Sequence, residues 1–270
     1  MRAKAAAYPY MAWTLVFIAI PLGLILYFAF TDIHGGFTFD NMIQAGSYSS
    51  VFVKSIWLAA VSTALCLLLG YPIAYLMSRW RGMKSRTLLL LIMLPMWMNF
   101  LLRTYAWMTI LENNGIINQL LGMIGIGPLP LINTQAAVVL GMIYNYIPFM
   151  ILPLHSIMVK IGDDVIEAAQ DLGAGPREVF SKVVLPLSMP GVKTGIIMVF
   201  IPAVSTFVIS QMLGGGDNQL IGDIIELQFL GNTYNPNLGS AISMVLMLLV
   251  LLCMTVTGFL NDENMEEKLL

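Results

Sequence analysis

Long apolar runs separated by shorter polar segments occupy most of this chain, at residues 10–30, 51–78, 88–111, 134–158, 191–213 and 239–260. Each is near or above the roughly 20 residues that cross a hydrocarbon core of about 30 Å. Strict alternation of polar and apolar positions is missing from them. A backbone in lipid must satisfy its own hydrogen bonds, so the pattern predicts helices rather than barrel strands. The expected class is all-α: a polytopic membrane protein of about six transmembrane helices. Arg2 and Lys4 precede the first run in the manner of a signal peptide. The run is of spanning length with no small-residue cleavage site after it, which reads as a retained signal anchor. Pro21, Pro72, Pro95, Pro148, Pro153 and Pro202 fall inside the runs and are expected to kink them.

Composition agrees: 58% of residues are hydrophobic and 10% charged, where a soluble domain carries about 25% charge. A net charge of -2 with 13 Lys and Arg residues excludes nucleic acid as a natural partner. Cys66 and Cys253 lie in apolar runs and read as small buried hydrophobes. The placement of the basic residues is more informative. Arg2 and Lys4, then Arg79, Arg81, Lys84 and Arg86, then Lys160, Arg177, Lys182 and Lys193, then Lys268 all fall on one set of alternate segments. Segments 31–50, 112–133 and 214–238 contain no Lys or Arg. Basic residues are retained in the cytoplasm, so both termini are expected there. Lys54 and Arg103 stand near the outer ends of their spans. Each either snorkels to the headgroups or, for Arg103, turns inward to pair with a carboxylate such as Glu112 or Glu226.

The longest basic segment, 161–192, reads IGDDVIEAAQDLGAGPREVFSKVVLPLSMPGV. It predicts two short helices. Asp164 and Glu167 have capping-box spacing, Gly173 suits the left-handed end of the first helix, and Pro176 suits the first turn of the second. Val179, Phe180, Val183, Val184 and Leu187 form an apolar stripe on the second helix, which Pro186 and Pro190 are expected to stop. On these residues alone the hairpin is either a docking knob for a cytosolic partner or an amphipathic pair resting on the membrane.

Glu167, Ala168, Ala169, Gly173, Val183, Leu185 and Pro186 occupy the places of the EAA loop, and the chain resembles the permeases of binding-protein-dependent ABC transporters. The resemblance implies a MetI-like type I importer fold, a single permease domain over 1–270, and a coupling loop at about 161–190 seated in an ATPase. In that role Glu167 meets the ATPase, the small residues allow close contact, and Phe180, Val183 and Leu185 hold the loop to its own bundle. Further stretches, GYPIAYLMSR, LPMWMNFLLRTYAW, GMIYNYIPFMILPL and IGDIIELQFL, are similar to permeases of spermidine and putrescine importers, particularly the first of their two paired subunits. The partners so implied are a second permease, two copies of a cytosolic ATP-binding subunit, a periplasmic or extracellular solute-binding protein, membrane lipid and a polyamine substrate. The chain itself would hold no metal or cofactor, ATP and Mg being bound by the ATPase, and would be a non-catalytic multi-pass subunit of the bacterial inner membrane.

No phosphate-binding loop accompanies these features: Gly214-Gly215-Gly216 lacks the lysine and reads as an outward turn. Asp32, Asp40, Glu112, Asp217, Asp223 and Glu226 give the outer side a negative entrance, which either steers a cation or merely reflects the retention of positive charge inside. Trp97, Tyr105, Trp107 and Tyr144 either stack on ammonium groups in a central path or anchor helix ends at the interface. An ion-coupled transporter or a channel remains open from the apolar pattern alone. Neither an internal repeat nor a filter segment supports them.

Overall fold

The computed structural model describes residues 9–80 and 82–256. Arg2, Lys4, Arg81 and Lys268, and the last part of the sixth expected span, lie outside the described residues. The helices are α1 (Pro9–Ala29), α2 (Asp40–Gly46), α3 (Ser49–Arg79), α4 (Met83–Met93), α5 (Phe100–Leu111) and α6 (Ile116–Met123). They continue as α7 (Gln135–Met158), α8 (Asp163–Asp171), α9 (Pro176–Val204), α10 (Ile221–Leu230) and α11 (Pro236–Val256). Five helices among the described residues are long and apolar enough to cross a membrane, and a bent pair makes six if it counts as one span.

That pair corrects the third expected span. Instead of one helix over 88–111, the chain bends by 88° between α4 and α5. Pro95 sits in a tight turn, Leu94–Trp97, and Met98 is extended at ψ 150. The Asn99 side chain then accepts from the N–H groups of Leu101 (2.8 Å) and Leu102 (3.3 Å), starting a new helix. A missing proline donor followed by a strong N-cap is a sufficient cause. The fifth span also shifts. It extends back to Pro176 through Pro186 and Pro190, and it stops at Val204 instead of Leu213. A wide π turn at Phe180–Val184 precedes Pro186 and loosens the turn that its ring would otherwise strike, so the proline does not end the helix. Segments expected as loops carry α2, α6 and α10, whose apolar residues are enough for short helices but not for spans.

The described residues divide into two compact units, 9–53 with 221–256, and 54–80 with 82–220. In the first, α1 and α10 pack on α11. The last carbonyls of α1 lack helical partners, and two asparagine amides supply them. Asn41 Nδ2 donates to the carbonyl oxygens of Ala29 (3.3 Å) and Thr31 (2.9 Å), and Asn237 Nδ2 to those of Phe28 (3.2 Å) and Thr31 (2.5 Å). An orphan carbonyl near lipid is costly, which explains two buried asparagines at one helix end.

In the second unit α7 is the axis, with Val138, Met142, Met150, Leu154 and Met158 fully buried. Its neighbours approach over glycine. A Cβ on Gly195 of α9 would stand 2.6 Å from Met150 Sδ, and one on Gly191 would stand 3.0 Å from the Pro153 carbonyl oxygen. Small residues at helix contacts are the usual way membrane helices gain packing when no hydrophobic drive separates them from lipid.

Candidate functional site

The 161–190 segment forms a hairpin of α8 and the start of α9. Gly173 adopts φ 86, ending α8 in the left-handed region as expected, and Pro176 opens α9. The capping box expected at Asp164 and Glu167 does not form. Gly162 is the N-cap, and Asp163 takes the first helical position, where it pairs with Arg79 at 3.2 Å. Glu178, instead, reaches back to the Gly175 N–H at 3.2 Å and also accepts from Lys182 at 2.9 Å.

Ile161, Val179 and Val184 form the buried centre of the hairpin, covered by Tyr75, Ile166, Ala169 and Ala174. Burying each valine contributes on the order of 2 kcal/mol. Phe180 lies edge-on to Tyr71 (5.8 Å) and Tyr75 (6.2 Å) at the end of α3, and Tyr71 Oη meets Ser188 Oγ at 2.8 Å. The Arg79 guanidinium donates to the Ile161 carbonyl oxygen at 3.3 Å and lies 5.2 Å from the Tyr75 ring. Tyr71, Tyr75 and Arg79 therefore present one face of α3 to the hairpin. Sequence reasoning missed them, although their spacing of four is the signal for one helix face. Of the residues expected to anchor the loop, Phe180 makes these contacts. Val183 is half-buried and Leu185 is exposed, as is the motif proline Pro186, and the anchoring valines are Val179 and Val184. Glu167, Ala168 and Gly173 are exposed, Ala169 is half-buried, and Leu172 beside them is 90% exposed. The hairpin thus shows an acidic, small-residue face with one projecting leucine.

At the opposite end of the unit, where Lys and Arg are sparse, Lys54 Nζ donates to the Asp217 carbonyl oxygen (3.0 Å) and to Asn218 Oδ1 (3.1 Å). Asn218 Nδ2 in turn reaches the carbonyl oxygens of Asn133 (3.0 Å) and Gly214 (2.8 Å). Lys54 is therefore a strut for the glycine turn. Close by in sequence, a cavity of about 610 Å³ is lined by Met108, Glu112, Asn113, Asn114, Ile132, Asn133, Gln211 and Met212. No Lys or Arg lines it.

Arg103 does not snorkel, and it meets no carboxylate among the described residues. It is 8% exposed, its Nη1 donates to the Pro95 carbonyl oxygen at 2.6 Å, and its guanidinium lies 5.8 Å from each of the Phe100 and Tyr144 rings. Trp107 packs edge-on to Tyr144 at 5.4 Å. Arg103, Trp107 and Tyr144 thus come together, whereas Trp97 (79%) and Tyr105 (53%) are exposed away from them. In the first unit Glu226 is half-buried on α10. Asp223, expected at a water-facing span end, is 1% exposed within the first turn of that helix. The positive end of the helix dipole suits a carboxylate at that place. Asp32 is occupied locally: its Oδ1 accepts from the Gly36 and His34 N–H groups at 2.8 Å each. The Gly36 N–H, and then that of His34, hold its carboxyl below the ordinary value.

Helices of spanning length and a further pair bent by 88°, with a hairpin at the basic end of the second unit and a polar cavity at its other end, make this a multi-pass membrane protein. Residues 66–262 match the model of the binding-protein-dependent transport system inner membrane component family. The spermidine/putrescine transport system permease protein PotB of Haemophilus influenzae is 36% identical over 255 residues, covering 91% of this chain and 89% of that one. PotB of Escherichia coli K12 is 33% identical over 256 residues, covering 91% and 93%. The molybdenum transport system permease ModB of Mycobacterium bovis is 30% identical, covering 82% and 81%. Among solved structures, a bacterial ABC transporter that imports the acidic polysaccharide alginate matches with a TM-score of 0.78 at 17% identity, covering 97% of this chain and 95% of that one. The chain belongs to the family of binding-protein-dependent inner membrane permeases: it is a non-catalytic, multi-pass permease subunit of an ABC importer in the inner membrane.

Proposed function

We propose that this permease pairs with a second one to form the path of a polyamine importer, with the basic ends of its spans in the cytoplasm. Two copies of an ATPase bind ATP and Mg and dock on the hairpin, and a periplasmic or extracellular binding protein delivers the solute. The observation that carries the polyamine reading is the chemistry of the 610 Å³ cavity, which offers the Glu112 carboxylate and the amide groups of Asn113, Asn114, Asn133 and Gln211 with no cation among its lining. Such a surface can accept from ammonium groups, and its one charge, on Glu112, disfavours an anion. The extended likeness to two PotB permeases supports the same cargo.

The coupling part of the proposal rests on the exposed Glu167, Ala168 and Gly173 face, backed by α3 through Tyr75 and by α9 itself through Val179 and Val184. A hairpin tied to two spans at once passes a push from below into both. The test is ATPase activity of the importer reassembled in liposomes from this chain and the permease, ATPase and binding protein encoded beside it. Spermidine or putrescine should stimulate hydrolysis and molybdate should not. Stimulation by molybdate alone would replace the cargo, while hydrolysis indifferent to every solute tried would remove the polyamine reading.

A further inference from the structure

Among the residues of α4 whose burial is described, Ser85 is the one buried side chain, while Leu90 and Leu91 are more than half exposed. A helix in a bundle is ordinarily held by an apolar stripe; this one is held by a hydroxyl. Ser85 stands in the first turn of α4, and its Oγ donates to the Met77 carbonyl oxygen, in the last turn of α3, at 3.0 Å. That carbonyl also receives the Trp80 N–H at 3.3 Å, being one of the last four of its helix and without a full helical partner. With its single proton so placed, the hydroxyl accepts from Nε2 of the buried His155, in the last turn of α7, at 3.0 Å. Ser85 thus joins the ends of three helices at one point.

Around this junction the packing is open. A cavity of about 540 Å³ is lined by Arg79 of α3, Ser85 and Leu89 of α4, His155 and Val159 at the end of α7 and Asp163 at the start of α8, among others. Close-packed interiors resist the turning of one element on another, and here that resistance is missing. The same stretch of α3 is gripped by the hairpin, through Tyr71 and Tyr75 on Phe180 and through Arg79 on Asp163. From the junction α4 runs through the 88° bend into α5, whose far end brings Met108 and Glu112 to the outer cavity. One covalent run therefore connects the Ser85 junction to that cavity.

We propose that Ser85 and His155 are positioning residues for coupled transport, a latch that makes α4 follow α3 and α7 when the hairpin moves. Motion at the basic end then reaches the Glu112 cavity through α5. The inference rests on the coupling role of the hairpin. A hydroxyl suits the task because a hydrogen bond is directional and fixes one orientation of the helix about one point, whereas apolar contact is not directional. Without the latch α3 still moves with the hairpin, and α4, with no other described side chain buried, lags behind it.

The importer assembled in liposomes gives two readouts. The first is the ratio of spermidine-stimulated to basal ATP hydrolysis. Ser85→Ala and His155→Leu should each lower it about fivefold, which is what the loss of one hydrogen bond amounts to in an equilibrium. The double variant should fall no further, as for one shared bond, and Ser85→Thr, which keeps the hydroxyl, should hold the parent ratio. A merely structural loss lowers basal and stimulated hydrolysis together and leaves the ratio where it was. The second readout needs no solute: the spin-label distance between Leu90→Cys on α4 and Gln170→Cys on α8, both exposed, with and without ATP and vanadate. It should stay narrow in both states of the parent, and in Ser85→Ala it should shift or broaden once ATP and vanadate are added. A parent ratio in Ser85→Ala and His155→Leu, or a distance as narrow in Ser85→Ala as in the parent, overturns the latch. Glu167→Lys separates the two readings. Loss of stimulation there beside a parent ratio in Ser85→Ala removes the latch and leaves the hairpin in its coupling role, while normal stimulation in Glu167→Lys removes both. If spermidine does not stimulate the parent, the cargo reading falls and the spin-label distance decides the latch by itself.

Discussion

Arg103 shows how a single charge in a membrane protein can be spent on backbone. Pro95 sits in the tight turn before the 88° bend, and the carbonyl it leaves facing inward receives the Arg103 Nη1 at 2.6 Å. The sequence indicated a basic residue within a span but not its partner, because a carbonyl acceptor carries no residue-type signal and only the bend brings it near. A charged hydrogen bond of this kind contributes about 1.5–3 kcal/mol. Arg103→Leu should therefore lower the melting temperature of the purified chain in detergent, with Arg103→Lys intermediate; equal melting of all three proteins would dismiss the strut. Glu112 stands differently, being exposed in the cavity wall with its charge available to a solute. If it meets a polyamine, Glu112→Gln should weaken spermidine uptake several-fold through KM, since an exposed charge pair is worth about 1 kcal/mol or less. Glu226→Gln on α10 is the parallel test for the first unit, and unchanged uptake in both variants would remove these carboxylates from the path.

Helices were legible where apolar length alone decides, as in α1, α3, α7 and α11. They were less legible where a polar side chain interrupts a run. Asn99 is an ordinary polar residue until Pro95 before it has freed the backbone; then it becomes the N-cap that splits a span. Conversely Pro186 and Pro190 are stop signals by residue type, yet the helix runs through both, with the π turn at Phe180–Val184 making room for Pro186. The α8 and α9 hairpin combined both outcomes: Gly173 and Pro176 marked its bend correctly, while Asp163 rather than Asp164 opens α8 because Arg79 draws it in. The hairpin also supplies its own test. No atom lies within 4 Å of a Cβ placed on Gly173, so a side chain there meets open space and the cost is conformational, about 1–2 kcal/mol at φ 86. Gly173→Arg should accordingly insert and fold but lose solute-stimulated ATPase activity, and Glu167→Lys should do the same by reversing the exposed charge. Gly173→Asn should be milder, since asparagine tolerates the left-handed region. Normal transport by the Arg and Lys variants would detach the hairpin from coupling.

At the scale of the whole molecule, the distribution of Lys and Arg over alternate segments makes a claim about orientation that joins every other proposal. If the basic side faces the cytoplasm, the hairpin lies there, and the Glu112 cavity opens to the other compartment, where a binding protein could reach it. The two native cysteines make the claim easy to check, since Cys66 is buried and Cys253 lies half-buried in an apolar helix, so background labelling is low. Asn114→Cys and Gln170→Cys place a thiol on exposed positions at opposite ends. A membrane-impermeant maleimide should label the first in intact spheroplasts and the second only after permeabilisation. The reverse pattern would put the hairpin outside, beyond the reach of any cytosolic ATPase, and would sink the coupling proposal whatever the cargo proves to be.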